Sequence, residues 1–250
     1  MKVEIKNKEQ IVRMRESNKA LARVHEELAK CIQPGISTWE IDRICEELIR
    51  GCGGTPNFKN YEGFPASVCV SVNDEVVHGI PRKDRILKDG DLVSLDTGLV
   101  MNGFHSDAAR TYAVGTVSPE VQKLMQVTKD SFFAGIKMAK AGNHLHDISR
   151  AIDAYVSEFG YGIVRELTGH GIGTKLHMEP TIPNYAPAGR GIKLVPGMTL
   201  AIEPMITLGE PEVMWTADNW TVVTGDGSWA AHYENTILIT EGEPEILSLI

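Results

Sequence analysis

Apolar residues recur at helical spacing along four segments of the chain, which form two pairs. The four predicted helices cover residues 11–31, 41–48, 119–136 and 148–159. Pro34 and Gly35 end the first helix; Ser37, three residues before Glu40, is typical of a capping box that starts the second, which Gly51 stops. Shorter segments with alternating apolar residues follow each pair and predict strands. The second half therefore repeats the order of the first.

A single constant shift aligns the two halves, and it places Gly90 on Gly197 and Asp96 on Glu203. The strings LKDGDLVSLD and LVPGMTLAIE, which end at these two acids, share leucine, glycine and alternating apolar positions. An internal repeat of this length predicts a duplication, roughly 8–115 and 116–245. No linker rich in Pro, Gly or Ser separates the halves, so we expect one fused domain over 1–250, of the α+β class, with its pocket between the halves.

Two acids lie on a predicted hairpin whose strands cover 93–100 and 104–114 and are joined through Asn102 and Gly103. Asp96 and Asp107 come out on one face of it, directly or diagonally opposed. Like charges at this spacing are destabilising unless one acid stays protonated or a cation lies between them. The alternative is a pair of solvated acids on an exposed face.

Two histidines and two further acids lie in the second half. His170 and His177 occur in the glycine-rich string HGIGTKLHMEP, and imidazoles are common metal ligands and acid–base groups. Glu203 ends an apolar strand, and Glu234 interrupts a second one that covers 230–240. Acids rarely enter such strands without a partner. Neither strand carries a lysine or arginine nearby, which disfavours the alternative of a salt bridge.

Four carboxylates and one imidazole form a ligand set for two divalent ions. Its members are Asp96, Asp107, His170, Glu203 and Glu234. Four negative charges balance two dications, and oxygen-rich ligation with one nitrogen suits manganese, iron, cobalt or zinc. Two ions about 3.5 Å apart can share a water, lower its pKa and polarise a carbonyl, which is the chemistry of hydrolysis.

Composition and charge exclude some classes of binding partner and indicate the cellular location. The net charge is −8, and no basic stripe is present, which disfavours nucleic acid and anionic membranes. No apolar stretch approaches a membrane span, and the charged residues 1–10 lack the apolar core of a signal peptide, so we expect a cytoplasmic protein. The four cysteines form no CxxC pair, which disfavours a zinc finger or a thioredoxin-like site.

The sequence resembles the methionine aminopeptidases, specifically the short bacterial type I form, from about residue 5 to 245. The resemblance lies in SVCVSVNDEVVHGIP, GDLVSLDTG, GFHSDAARTY, GHGIGTKLHMEP, MTLAIEP and HYENTILIT. It implies the pita-bread (creatinase/aminopeptidase) fold, with two pseudo-symmetric halves around a central dinuclear metal site. The implied activity is removal of the initiator methionine from nascent polypeptides that have a free amine and a small second residue.

The resemblance also implies the role of each ligand. Asp107 and Glu234 would bridge both metal ions, and Asp96 would chelate one of them. His170 and Glu203 would complete the shell of the other ion. Glu203 would also act as the general base for a water that bridges the two metals.

Two more histidines and an apolar pocket are implied to handle the substrate. His177 would hydrogen-bond the scissile peptide and steady the tetrahedral intermediate, while His78 would position the substrate and transfer a proton. The implied substrate-binding residues are Tyr61, Phe64, Cys69, His78, Leu176, His177 and Trp220. Without the resemblance, His78 would be interpreted as a structural residue in a loop, and ordinary core packing is the alternative for the pocket side chains. Leu176 departs from relatives with phenylalanine there, which would widen the pocket.

Several points stay open at the level of sequence. Some relatives hold a monovalent cation near Asn73 and position 230, where Ala230 replaces a serine, through backbone carbonyls. The metal used, and whether the protein works at the ribosome, are not fixed by the residues; we expect a monomer. The rival enzyme is a proline-directed peptidase of the same fold, which shares the five ligands. The rival from another class is an inactive protein that binds RNA or other proteins.

Overall fold

The structure is a computed structural model that describes residues 3–249, so residues 1, 2 and 250 of the predicted domain lie outside it. The helices are α1 (Lys8–Ala29), α2 (Thr38–Gly51), α3 (Pro119–Ile136) and α4 (Leu145–Ser157). Each matches a predicted helix. None of the described helices is both long enough and apolar enough to cross a membrane.

Helix boundaries follow local capping chemistry. The Ser37 side chain accepts from the Glu40 amide at 3.1 Å, which is one half of the predicted capping box, and Ser118 caps α3 in the same way. The first helix ends at Ala29, so the prediction that it includes Cys31 is wrong, although Cys31 still packs against the core. Likewise α4 ends before Phe159.

Short strands follow the pair of helices in each half of the described chain. Those of the first half are β1 (Thr55–Pro56), β2 (Val68–Val72), β3 (Glu75–Val77), β4 (Leu92–Met101) and β5 (Phe104–Ala113). Those of the second are β6 (Gly162–Ile163), β7 (Gly169–Gly171), β8 (Met178–Ile182), β9 (Thr199–Ile202), β10 (Met205–Thr207), β11 (Val213–Trp215), β12 (Val222–Thr224), β13 (Ala230–His232), β14 (Asn235–Leu238) and β15 (Glu245–Ile246).

These strands form antiparallel sheets. In the first half, β4 pairs with β5 along one edge and with β1 and β2 along the other. The second half contains the five-stranded sheet β15-β14-β9-β7-β8 and the three-stranded sheet β13-β10-β6. In a further sheet, β11-β12-β3, a first-half strand pairs with a second-half strand. Main-chain hydrogen bonds therefore join the two halves.

The hairpin of β4 and β5 is the one predicted. Asn102 and Gly103 form its two-residue turn with φ values of 52° and 80°. Positive φ at both positions is the type I′ turn that matches the twist of antiparallel strands, and asparagine and glycine tolerate it best. The turn chemistry therefore sets the register of the whole hairpin.

Backbone geometry recurs at the constant shift found in the sequence. Gly35 and Gly142 have φ values of 95° and 94°, and Gly90 and Gly197 have 93° and 91°. The first residues of α2 and α4 are separated by the same shift, and so are the first residues of β4 and β9. Beyond β10 the spacing changes, because β11 and β12 have no counterpart among the described residues between β4 and β5.

Each half has its own apolar core. The helices α1 and α2 pack against the β4 sheet around Leu28, Ile41 and Leu95, which are fully buried. Residues of α3 and α4 form the second core around Phe132 and Ile152 with strands of the second half. A third cluster lies between these two and contains side chains from both halves. The space between the halves is where this third cluster meets the predicted acids.

Candidate metal centre

All the predicted site residues line one cavity of about 890 Å³. They are Tyr61, Phe64, Cys69, His78, Asp96, Asp107, His170, Leu176, His177, Glu203, Trp220 and Glu234. The acids lie on the first-half hairpin and on second-half strands, so neither half alone provides the site. This position between the halves is the one predicted for the pocket.

The hairpin places its two acids side by side. Asp96 pairs with Ala109 and Asp107 pairs with Gly98, so the two carboxylates are diagonal neighbours on one face, as predicted. Only 9% of Asp96 and 3% of Asp107 is exposed. The alternative of two solvated acids on an exposed face is therefore wrong.

Glu203 and Glu234 both lie where the chain passes from one sheet to another. Glu203 follows β9, and β10 then joins a different sheet; Glu234 separates β13 from β14 in the same manner. The predicted strand over 230–240 is thus two strands. The Glu234 amide donates to the Ala109 carbonyl at 3.0 Å, and the Tyr233 amide to the Pro204 carbonyl at 3.2 Å. The first bond holds the segment around Glu234 against the hairpin. The second joins that segment to the one around Glu203.

His170 presents a lone pair to the acids. Its Nδ1 lies 2.9 Å from the Gly171 carbonyl, which can only accept, so Nδ1 carries the hydrogen and Nε2 does not. Nε2 lies 3.7 Å from Asp107 Oδ2 and 3.6 Å from Glu203 Oε1. Asp107, His170 and Glu234 offer ligand atoms that all lie within 4.8 Å of one another. A lone pair fixed by a carbonyl on the other ring nitrogen is typical of a metal-binding histidine.

Burial and mutual repulsion govern the charge of the acids. Burial raises the pKa of Asp96 to about 7. Burial, then repulsion by Asp96, raises the pKa of Asp107 and of Glu203 well above the ordinary range, and burial with repulsion by Asp107 does so for Glu234. Burial also lowers the pKa of His170 to about 3, so it is neutral.

No cationic side chain within residues 3–249 forms an ion pair with these acids, apart from the contacts of neutral histidines. Arg110 donates to the backbone carbonyl of Glu234 and not to its carboxylate. Asp96 Oδ1, Asp107 Oδ1 and Glu234 Oε1 are buried without a hydrogen-bond partner in this part of the chain. The salt-bridge alternative for Glu234 is therefore wrong, and the unmatched oxygens fit divalent cations.

His177 and His78 line the same cavity, and His177 is the more exposed of the two. The Tyr61 hydroxyl lies 2.9 Å from His177 Nδ1, and the ring of His177 stands edge-on to His170 with centroids 4.4 Å apart. His78 has a φ of 59°, which a non-glycine residue adopts only under constraint. Burial lowers the pKa of His78 to about 4, so this imidazole is also neutral.

An apolar lobe lies next to the acids. Phe64, Cys69 and Leu176 are at most 3% exposed, and Trp220 stands edge-on to Phe64 with ring centroids 5.1 Å apart. Cys69 pairs with Asp96 across β2 and β4, which fixes the lobe beside the carboxylates. Burial raises the pKa of the Cys69 thiol well above its usual range, so it forms a neutral wall.

Two residues of the site were not predicted. Phe58 lines the cavity and packs in the same cluster as Phe64, but an aromatic residue in a loop gives no signal in sequence. His232 is buried and its Nε2 lies 3.9 Å from Glu203 Oε2. Its place two residues before Glu234 could have indicated it, because alternate residues of a strand share a face.

Comparison with known proteins agrees with this geometry. Residues 12–241 match the model of metallopeptidase family M24. A methionine aminopeptidase from Clostridium acetobutylicum is 51% identical over 245 residues, which are 98% of each chain. The crystal structure of a methionine aminopeptidase from Thermotoga maritima superposes with a TM-score of 0.97 at 43% identity, covering 100% of both chains.

For the rival enzyme class, the comparison shows a likeness of fold. A prolidase from Pyrococcus furiosus superposes with a TM-score of 0.81 at 23% identity, and this chain covers 65% of its length. The pita-bread fold expected from the sequence is thereby confirmed, whereas a proline-directed activity is not favoured. The match over the whole chain, together with the buried acids and the imidazole lone pair, shows that the chain belongs to metallopeptidase family M24 and, within it, to the methionine aminopeptidases.

Proposed function

We propose that this chain hydrolyses the first peptide bond of polypeptides that begin with a free methionine, at a two-metal centre between its halves. The observation that carries the proposal is four carboxyl groups with raised pKa values next to an apolar lobe; three of them are buried, and the side chain of the fourth, Glu203, is 14% exposed. The acids are too close to ionise together without cations. The apolar lobe accounts for selection of a methionine side chain beside them.

The four acids and the imidazole divide between two ions in this proposal. Asp107 and Glu234 would hold both ions, Asp96 would hold one of them, and His170 with Glu203 would hold the other. The distances support the division, because Asp96 neighbours Asp107 on the hairpin while His170 Nε2 faces Asp107 and Glu203. Two divalent ions, when bound, would neutralise the acids, polarise the scissile carbonyl and lower the pKa of a water.

Glu203 and His177 act on the reacting groups. With the metals bound, the ionised Glu203 carboxylate would accept a proton from the attacking water and return it to the leaving amine. In the tautomer of His177 with its hydrogen on Nε2, Nδ1 accepts from the Tyr61 hydroxyl, and Nε2–H donates to the scissile carbonyl oxygen as it gains charge. Neutral His78 positions the substrate and takes part in proton transfer.

The methionine side chain lies in the apolar lobe. Phe64, Cys69, Leu176 and Trp220 form its walls, and Tyr61 lies at its edge. The free amine of the substrate would be a ligand of the metal centre. A formylated nitrogen cannot fill that role, because its lone pair is delocalised into the formyl carbonyl, so a formyl group on the amine prevents cleavage. The residue after methionine is small, because it must fit beside the histidines at the mouth.

The wider setting is also part of the proposal. Residues 1–250 form a single catalytic unit that arose by duplication, roughly 8–115 and 116–245, which the recurring backbone geometry supports. The protein acts as a monomer in the cytoplasm on nascent chains. A monovalent cation near Asn73 and Ala230 is a further proposal; these backbones lie together, with the Ala230 amide donating to the Asn73 carbonyl at 2.9 Å.

The test is hydrolysis of Met-Ala-Ser after chelation and re-addition of manganese, iron, cobalt or zinc, one at a time. We expect chelation to abolish cleavage and at least one metal to restore it. Formyl-Met-Ala-Ser and an Xaa-Pro peptide serve as controls that are not cut. Cleavage that survives chelation, or faster cleavage of the Xaa-Pro peptide, would overturn the proposal.

A further inference from the structure

His232 lies behind the acids, on the strand that precedes Glu234. It is 1% exposed, and its backbone is fixed by Thr111. The Thr111 hydroxyl donates to the His232 carbonyl at 2.8 Å and accepts from its amide at 2.9 Å. The backbone that carries the imidazole is therefore held against β5.

Both ring nitrogens of His232 are buried without a hydrogen-bond partner among residues 3–249. Burying a polar group without a partner is costly, and native structures keep few such groups. Two carboxylate oxygens approach Nε2, namely Glu203 Oε2 at 3.9 Å and Glu234 Oε2 at 4.0 Å. These distances are longer than hydrogen bonds, yet both carboxylates are among the proposed metal ligands.

His232 and His170 flank Glu203 on different oxygens. His170 Nε2 faces Oε1 at 3.6 Å, and His232 Nε2 faces Oε2 at 3.9 Å. The hydrogen of His170 is fixed on Nδ1 by the Gly171 carbonyl. No carbonyl of the described chain fixes the hydrogen of His232, so its Nε2 can carry it. A neutral imidazole facing two ionised carboxylates is most stable with that nitrogen as the donor.

We propose that His232 is a positioning residue that donates its Nε2–H to Oε2 of Glu203 when the centre is loaded, and so turns Oε1 towards His170 and the metal. The inference rests on the proposed function, in which Glu203 is a ligand and base. Hydrogen bonds to a ligating group from the surrounding residues orient it and tune the metal. In the metal-free protein the same imidazole lacks that partner.

The imidazole lines a second cavity of about 400 Å³ together with Arg110 and Tyr233. A much smaller side chain would enlarge that cavity next to the acids, so the variants must preserve volume. His232→Leu removes both nitrogens at similar size. His232→Gln keeps an N–H donor in nearly the same place.

The experiment measures manganese binding by calorimetry and thermal unfolding of the metal-free and loaded protein for the parent and both variants. We expect His232→Leu to weaken metal binding by roughly 10-fold to 100-fold, and His232→Gln to restore most of it. The metal-free His232→Leu protein should unfold at a temperature no lower than the parent, because an unpartnered polar ring is replaced by an apolar side chain. His144→Leu, at a half-buried histidine that lines neither cavity, is the control and should bind metal as the parent does.

The outcomes separate this inference from the proposed function. If the parent binds no divalent metal, the metal centre fails and the inference fails with it. If the parent binds metal and His232→Leu binds it equally well, only the inference is overturned. Loss of stability in metal-free His232→Leu, without rescue of binding by His232→Gln, would show a packing role and would also overturn it.

Discussion

The two halves of the molecule supply the proposed metal ligands in different ways. In the first half, Asp96 and Asp107 lie inside the long strands of one continuous hairpin, where the turn sets their register. In the second half, Glu203 and Glu234 lie at breaks where the chain leaves one sheet for another. Local turn chemistry therefore suffices to place the first pair, whereas the second pair depends on contacts between distant strands.

The largest expected effect comes from the two hairpin aspartates. Asp107→Asn removes a negative charge that both ions share in our proposal, so neither ion should bind tightly. Asp96→Asn should weaken one ion and leave one tight site, because four ligands remain. Metal titration by calorimetry on both variants measures this. Retention of one tight site by Asp107→Asn and of none by Asp96→Asn would contradict the bridging role.

A smaller loss of activity is expected at His177, which is not one of the proposed metal ligands of either half. His177→Ala should keep both metals and lower kcat by roughly 10² to 10⁴, because one donor to the developing charge is lost. Tyr61→Phe should lower kcat less, since it removes only the hydrogen bond between the Tyr61 hydroxyl and His177 Nδ1. Metal content is measured with the rate, and a metal-free His177→Ala would show that His177 is a ligand.

Removal of the metals should reverse how stability depends on pH. The pKa of Asp96 is raised from 3.8 to about 7 in the metal-free fold, so its contribution is present below the lower value and is lost as pH rises through the upper one. Metal-free protein should therefore unfold at lower temperature at neutral pH than in mild acid. Loaded protein should show the opposite trend, because bound metals favour ionised carboxylates. The measurement is the unfolding temperature as a function of pH, with chelator and with metal. The prediction is refuted if both forms change with pH in the same direction.

The smallest effect tests how far the hairpin turn fixes the first pair. Gly103→Ala should cost about 1 kcal/mol of unfolding free energy, because φ is 80° there although no atom lies within 4 Å of a new Cβ. Gly51→Ala, at the end of α2 with equal space and an ordinary φ, should instead stabilise by about 0.5 kcal/mol. Denaturant unfolding of both variants measures the contrast, and equal effects would mean that the turn does not constrain the hairpin.

The helices and the hairpin could be predicted because their signals are local. Ser37 and Ser118 are caps whose oxygens accept from amides three residues on, and Asn102 with Gly103 specifies one turn type. The predicted end of the first helix is wrong, because Cys31 continues the apolar pattern after the helix has ended at Ala29. Apolar periodicity reports which face is buried and does not report where the hydrogen bonds end.

The second half could be predicted only in part. The strand over 230–240 reads as continuous, yet its amides divide between two sheets at Glu234, since β13 pairs with β10 and β14 with β9. No local residue pattern states which distant strand will supply a partner. For the same reason the sequence does not predict a role for His232, although it lies only two positions before Glu234, a residue of the predicted ligand set.

The sequence by itself determined the four helices, the hairpin of β4 and β5, the internal repeat and the identity of the candidate acids and imidazole, because these are carried by residue type and spacing along the chain. Only the tertiary structure decided that the acids are buried together without a lysine or arginine from the described residues, which oxygen of Glu203 faces which histidine, and that His232 stands behind them. Burial and pKa depend on every group that surrounds a side chain, and those groups come from both halves of the fold.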